Sequence, residues 1–167
     1  GVLTLKWVAH GYQTFFLRYS FFSKNTPLLP NPVIELALSV AAIHAHATTW
    51  HVDLHRLAVA GFSVGGHISA HFNDWWSEAS FNQQAHTTPE QLKVQAVILG
   101  YPVISPDLGF PTDAAPLATW STTPQKIAAA QHVTAANAPT FIWVTADDPL
   151  GPVQNALPYA PPSLTHG

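Results

Sequence analysis

The sequence predicts an α/β fold, a mostly parallel sheet with helices on both faces, because strand-like and helix-like stretches alternate along it. Apolar runs typical of buried strands lie at 57–60, 94–101 and 140–145. Stretches with helical spacing of apolar residues lie at 33–50 and 64–76. Such alternation favours a parallel sheet, which needs a crossover between its strands. We expect one domain over residues 1–167.

The remaining segments are interpreted from their local composition. Residues 3–9 are predicted to end a helix that stops at Gly11, and the aromatic-rich stretch 13–19 is predicted to be a strand. The polar stretch 77–90 is expected to be a loop or an irregular insertion. The Pro-rich stretch 102–123 is expected to be irregular. Residues 123–131 are expected to form a short helix that Thr123 caps and Pro124 opens. Residues 153–159 are expected to begin a helix that prolines break.

Composition restricts the classes of function. Only 9% of the 167 residues are charged, and a formal net charge of −3 leaves no basic stripe for nucleic acid. The chain has no cysteine, which excludes disulfides and cysteine-ligated metal. The first residues lack the basic start and apolar core of a signal peptide, and no apolar run reaches membrane-spanning length. We therefore expect a cytoplasmic protein with no membrane span.

The segment Gly61-Phe62-Ser63-Val64-Gly65 matches the pattern G-x-S-x-G between a predicted strand and a predicted helix. That context is the one a nucleophile elbow requires, with the serine hydroxyl exposed at the turn. Ser63 is therefore the candidate nucleophile, and the N–H of Val64 is a candidate oxyanion donor at the helix N-terminus. Gly61 and Gly65 are expected because a Cβ at either position would collide with the neighbouring strand or helix.

Three segments together resemble the α/β-hydrolase family, specifically the small esterase/lipase branch that includes acetylxylan-esterase-like proteins. They are VDLHRLAVAGFSVGGH, AVILGYPVIS and APTFIWVTADDPLGPVQNAL, which occur in the family's order. The resemblance implies Ser63 as nucleophile and a later histidine as base. It also implies Asp148, four residues before Pro152, as the orienting acid, with Asp147 as the alternative, and it implies no cofactor.

The sequence leaves two possibilities for the catalytic base. His166 is the one histidine after Asp148, but 149–167 is short for both the helix and the strand expected before the base. Either His166 is the base or the base is absent. The family's glycine run for a second oxyanion donor is also missing between Gly1 and Tyr19. We therefore expect a truncated, incomplete domain with little or no activity.

The resulting interpretation is a serine ester hydrolase acting on a small-molecule ester with a small or medium acyl group. A non-catalytic α/β-hydrolase-like binding domain and a small-peptide serine peptidase are the alternatives. The histidine pairs 67/71 and 51/55 have metal-ligand spacing, but no HExxH glutamate accompanies them, so no metal is expected. Trp75 and Trp76 could line an acyl pocket but are expected to be core or surface cover. The sequence identifies neither the ester nor the oligomeric state.

Overall fold

The computed structural model describes residues 2–21, 27–105, 128–146 and 153–159. The strands are β1 (Ala58–Phe62), β2 (Ala96–Gly100) and β3 (Thr140–Trp143). The helices are α1 (Val2–Ala9), α2 (Asn31–His46), α3 (Val64–Trp75), α4 (Ala79–Ala85), α5 (Pro89–Leu92) and α6 (Val153–Ala156). Single 3-10 turns occupy Leu54–Arg56, Ala129–Gln131 and Leu157–Tyr159.

The described strands form one parallel sheet in the order β1-β2-β3. The sequence predicted each of them to within a few residues. Val59, Val97 and Leu99 are buried on one face of this sheet. The opposite face is more open: Phe141 and Trp143 are 63% and 41% exposed. Burial is therefore one-sided among the described residues.

Helix α3 covers the buried face of the sheet by packing on β1 and β2, and α2 packs on α3 and α5. Helix α2 buries Val33, Ala37 and Val40 at helical spacing, and this is the spacing of apolar residues that predicted the helix. It begins at Asn31, so Pro32 lies in its first turn, where a missing N–H is tolerated. Helix α1 and the turn at Gly11, whose φ is +82°, also match the prediction.

The predicted strand at 13–19 is wrong. These residues pair with no strand of the described chain, and a ladder needs such a partner. The segment is attached to the domain just beyond it, where the Ser20 N–H donates to the Glu35 carboxylate at 2.7 Å and the Ser20 hydroxyl donates to the same carboxylate. Aromatic content alone therefore misassigned an extended segment as a strand.

The predicted loop or irregular insertion at 77–90 is also wrong, because α4 lies within it and α5 begins in it. Helix α4 buries only Phe81, Asn82 and Ala85, which is too short an apolar stripe to stand out in a polar sequence. Thr88 and Gln91 form a capping box that starts α5.

Positions 106–127 lie outside the described residues. They include most of the predicted Pro-rich stretch and the first part of the short helix predicted after it. No helix of the described chain has the length and hydrophobicity needed to cross a bilayer.

The closest backbone approach in the elbow lies between β1 and α3 at Gly61. A Cβ on Gly61 would stand 2.1 Å from the Gly65 carbonyl oxygen and 2.4 Å from Ser69 Oγ. A Cβ on Gly66 would stand 2.8 Å from Pro102 Cβ. The expectation for Gly65 is wrong: apart from its chain neighbours and the nearby backbone of its own helix, no atom of the described residues lies within 4 Å of the position its Cβ would take. The steric constraint thus falls on Gly61 and Gly66.

We predict that Gly61→Ala destabilises the protein by about 3 kcal/mol or more, because the new methyl group overlaps backbone that cannot move away independently. Gly65→Ala is the matched control: it is expected to leave the free energy of unfolding unchanged within about 1 kcal/mol. Urea unfolding midpoints of the two variants would decide the matter. Equal destabilisation by both substitutions would contradict the assignment of the contact to Gly61.

Candidate active site

Ser63 lies at the turn between β1 and α3, with φ of 53° and ψ of −121°. Such angles strain any residue other than glycine and persist only where the surroundings hold them, commonly at functional sites. Two hydrogen bonds hold this turn: the Ser63 N–H donates to the Gly100 carbonyl at 3.1 Å, and the His67 N–H donates to the Ser63 carbonyl at 3.1 Å. The predicted strand–turn–helix context is confirmed, with an exposed serine at its apex.

The N-terminus of α3 faces the turn that carries Ser63. Val64 is the first residue of that helix, so its N–H has no acceptor within the helix and lies where the helix dipole is positive. Ser63 occupies the N-cap position but makes no capping hydrogen bond with its side chain. Its hydroxyl is thus not engaged in capping the helix, and negative charge developing beside Val64 would be favoured.

Three aromatic rings follow one another across the ends of the strands next to Ser63. The ring centroids of Phe62 and Tyr101 are 6.0 Å apart, and those of Tyr101 and Trp143 are 5.3 Å apart. Gly100 makes room for this row, since a Cβ there would stand 2.4 Å from Phe62 Cδ1. Tyr101 is held at a φ of 36°, and its N–H donates to the Trp143 carbonyl at 2.7 Å. This edge of the sheet therefore presents apolar, partly exposed surface.

Asp147, Asp148 and His166 lie outside the described residues. The chain is described as far as Ala146, three residues beyond the end of β3. Ser63 follows the carboxyl end of β1, and β1 and β3 are parallel with only β2 between them. Neighbouring strands are about 4.8 Å apart, so the ends of β1 and β3 are about 10 Å apart on one edge. The segments that carry the candidate nucleophile and acid thus leave the sheet on the same side.

His67 and His71 are buried on α3, with ring centroids 4.5 Å apart in an edge-to-face arrangement. The Nδ1 of His67 donates to the Val103 carbonyl at 2.6 Å in the tautomer this contact requires. Burial lowers the pKa of His67 to about 4, so the ring is neutral at physiological pH. Among the described residues, no three His, Asp or Glu side chains cluster as metal ligands. Here His67 joins α3 to the chain that follows β2.

The tryptophans at the end of α3 pack against the protein. The Trp75 ring lies 4.5 Å from that of His71 and 5.9 Å from that of Phe81. Trp76 is partly buried, and its Nε1–H donates to the Ala136 carbonyl at 3.1 Å. The expected role in the core or as surface cover is confirmed, and both side chains join α3 to neighbouring segments.

Asp74 is a buried carboxyl that the sequence analysis did not single out. Its Oδ1 accepts from Asn137 Nδ2 at 2.7 Å and from the Tyr159 hydroxyl at 2.8 Å, while Oδ2 is buried with no hydrogen-bond partner among the described residues. Despite those two hydrogen bonds, burial raises the pKa of Asp74 to about 7, and the charge of Glu78 acts in the same direction. Near neutral pH the carboxyl is therefore partly protonated.

The geometry around Tyr159 is consistent with that proton. The Tyr159 hydroxyl lies 3.0 Å from the Ala70 carbonyl oxygen and 2.8 Å from Asp74 Oδ1, yet it has one hydrogen to donate. If the Asp74 carboxyl is protonated, it can donate to the phenol oxygen while Tyr159 donates to Ala70. Burial also raises the pKa of Tyr159 itself, so the phenol stays neutral.

Asn155, in α6, makes a second set of buried polar contacts. Its Oδ1 accepts from the Ile104 N–H at 2.5 Å and the Ser105 N–H at 2.9 Å, and its Nδ2 donates to the Ser105 carbonyl at 2.9 Å. The side chain is 1% exposed. Asn155 therefore satisfies backbone N–H and carbonyl groups in the chain after β2, which is not paired with any described strand.

Sequence reasoning missed Asp74, Asn137, Asn155 and Tyr159. No local pattern identifies them, because the partners of Asp74 lie 63 and 85 positions away along the chain. Asp74 belongs to a helix that is buried almost all round, so helical spacing does not separate it from core residues.

Comparisons with known proteins agree with this architecture. The profile of the family described as BD-FAE matches residues 2–158. The chain belongs to the BD-FAE family. A curated relative of this BD-FAE chain, the endo-1,4-β-xylanase B of Butyrivibrio fibrisolvens, is 27% identical over an alignment of 165 residues, and the match covers 90% of this chain and 24% of the relative.

Solved structures from Lactobacillus plantarum WCFS1 share the fold. The carboxylesterase Cest-2923 is 32% identical with a TM-score of 0.86, and the match covers 95% of this chain and 57% of that one. A putative carboxylesterase is 46% identical with a TM-score of 0.78, covering 94% of this chain and 61% of that one. The α/β-hydrolase fold is thereby confirmed. The chain spans about 57% and 61% of the two solved structures.

We predict that the raised pKa of Asp74 makes stability depend on pH. The carboxyl of Asp74 in the folded protein holds its proton up to about pH 7, whereas an unfolded aspartate releases it near its ordinary pKa of 3.8. The free energy of unfolding therefore falls as pH rises between these values, with a limiting slope of about 1.4 kcal/mol per pH unit. Asp74→Asn cannot titrate and should remove this contribution.

Urea unfolding of wild type and Asp74→Asn at several pH values from 4 to 8 measures the effect. Burial of His67 acts in the opposite direction, since its lowered pKa reduces stability as pH falls from 6.5 towards 4. That contribution is common to both proteins and cancels in their difference. Two stability curves that run parallel over the whole range would contradict the prediction.

Proposed function

We propose that the protein is a serine ester hydrolase that acts on esters with a small or medium acyl group. The observation that carries the proposal is Ser63, exposed at positive φ between a strand and a helix N-terminus in a BD-FAE chain. One solved relative is a carboxylesterase and another a putative carboxylesterase, which supports the same class of reaction. The apolar row at Phe62, Tyr101 and Trp143 suits an uncharged substrate.

In this proposal the Ser63 hydroxyl attacks the ester carbonyl and gives its proton to a histidine base. The carbonyl oxygen becomes an oxyanion, which the Val64 N–H and the positive end of α3 stabilise. The base returns the proton to the leaving alcohol, and water then releases the acyl group from Ser63 by the same steps. Side chains and backbone N–H groups suffice for these steps, so the chemistry needs no cofactor.

Asp148 is the proposed acid that orients the base, and His166 is the candidate base within this chain. The order Ser, Asp, His along the sequence is that of α/β-hydrolases. Asp147 is the alternative acid. The end of β3 lies on the same sheet edge as Ser63, which supports an acid at this point in the chain.

We predict that, in the full-length protein, Ser63→Ala abolishes labelling by a fluorophosphonate probe and turnover of p-nitrophenyl acetate. Removing a triad nucleophile lowers kcat by about 10⁶-fold in the best-studied case. Ser80→Ala, at an exposed serine of α4, is the matched control and should behave as wild type. A folded, full-length wild-type protein that is neither labelled nor active would favour a binding domain, and cleavage of small peptides in preference to esters would favour a peptidase.

Substitution of each candidate partner of Ser63 tests its role. Asp148→Asn is expected to lower kcat by about 10⁴-fold, since an amide holds the base in the wrong tautomer, and Asp147→Asn serves as its matched control. His166→Gln should lower kcat at least as far. The reverse result for the two aspartates would transfer the acid role to Asp147, and an active His166→Gln variant would exclude His166 as the base.

A further inference from the structure

A buried contact near the end of α3 joins that helix to chain on both sides of the candidate acid. Asn137 precedes β3, and Tyr159 follows α6. Asn137 Nδ2 and the Tyr159 hydroxyl are both hydrogen-bonded to the same oxygen, Asp74 Oδ1, at 2.7 and 2.8 Å. The Tyr159 hydroxyl also lies 3.0 Å from the carbonyl oxygen of Ala70. One carboxyl of the helix that begins beside Ser63 thus holds the chain before and after positions 147–152.

The same helix holds the incoming chain through a neighbouring side chain. Asn73 Oδ1 accepts from the Ala138 N–H at 2.8 Å, and its Nδ2 donates to Thr140 Oγ1 at 3.0 Å. These bonds fix the first residue of β3 on α3. Asn73 and Asp74 are respectively 0% and 2% exposed, so water does not compete for these bonds.

Asn155 holds the outgoing chain at a second point. It bonds the backbone of Ile104 and Ser105, and the chain just before them is tied to α3 by the contact between His67 and the Val103 carbonyl. Both ends of the segment that carries the candidate acid are therefore fixed to the scaffold that fixes Ser63. A triad needs this kind of support, because catalytic groups must be held close to productive geometry.

We propose that Asp74, together with Asn137 and Tyr159, positions the segment that carries the triad acid relative to Ser63. This inference rests on the proposed function. These residues touch neither substrate nor reacting atoms and act through the position of Asp148. Asp74 and Tyr159 are buried and Asn137 is half-buried, with its amide bonded to both of them, so the three are positioning residues and not catalytic ones.

Tyr159→Phe tests the inference, because it deletes the bridging hydroxyl and keeps the buried ring. In the full-length protein, with p-nitrophenyl acetate as probe, kcat should fall by on the order of 10- to 100-fold, as expected for a displaced catalytic group. KM should stay within about twofold, because ground-state binding of the ester is unaffected. The acidic limb of the kcat/KM profile should move to lower pH, since the base loses part of the nearby negative charge that raises its pKa.

Two substitutions of Asp74 separate the hydrogen bonds from the charge. Asp74→Asn keeps an oxygen that can accept from Asn137 and Tyr159, so its kcat should stay within about threefold of wild type. Asp74→Ala removes that acceptor and should resemble Tyr159→Phe. A kcat for Asp74→Asn as low as that for Asp74→Ala would overturn the inference, because the shared acceptor would then not matter.

Asn82→Ala is the matched control for lost stability. Asn82 is a buried asparagine of α4 whose Nδ2 donates to the Trp76 and Glu78 carbonyls and whose Oδ1 accepts from the Thr87 hydroxyl, so its side-chain bonds go neither to β3 nor to α6. The Asn82→Ala substitution should lower the free energy of unfolding without moving the acidic limb of the kcat/KM profile. Wild-type kcat and an unmoved limb in Tyr159→Phe would overturn the positioning role while Ser63-dependent turnover stands. Absence of Ser63-dependent turnover in wild type would overturn the proposed function and this inference together.

Discussion

The approach of β1 to α3 at Gly61 is the contact on which the rest of this structure depends. The Gly65 carbonyl oxygen and Ser69 Oγ occupy the space that a side chain on Gly61 would need, so helix and strand meet at backbone distance. That approach sets the sharp turn between them, and the turn holds Ser63 at positive φ with its side chain outside the helix cap. A larger separation would relax the turn and remove the strain that exposes the serine.

Helix α3 then organises the chain through polar contacts along its length. Near its start, Gly66 packs on Pro102 and His67 bonds the Val103 carbonyl, which fixes the chain after β2. Near its end, Asn73 and Asp74 bind the chain before β3 and after α6. These bonds are buried, so each broken one would leave an unsatisfied group in a medium of low dielectric constant. Helix α3 therefore holds segments that are far apart in the sequence at fixed positions relative to the turn that carries Ser63.

The composition fits such an interior. With 9% charged residues, the chain relies on neutral amides, hydroxyls and imidazoles for its buried polar contacts. Asp74 is a buried acidic side chain among the described residues, and its raised pKa lets it behave near neutral pH as a partly neutral group. His67 is likewise neutral because burial lowers its pKa. The interior thereby avoids most of the desolvation penalty that fixed charges would bring.

The sequence by itself determined the strands, the helices α2 and α3 and the elbow, because these depend on periodicity and on residues close together along the chain. Apolar runs and helical spacing survive in any tertiary context, and G-x-S-x-G between a strand and a helix is a local pattern. It misassigned 13–19 and 77–90, where strand pairing and the burial of Phe81 and Ala85 decide the outcome. Only the tertiary structure placed Asp74 against Asn137 and Tyr159 and showed that Gly66, and not Gly65, meets a neighbour. Those contacts join residues far apart in sequence, and no local pattern encodes which distant side chain will fill a buried hydrogen bond.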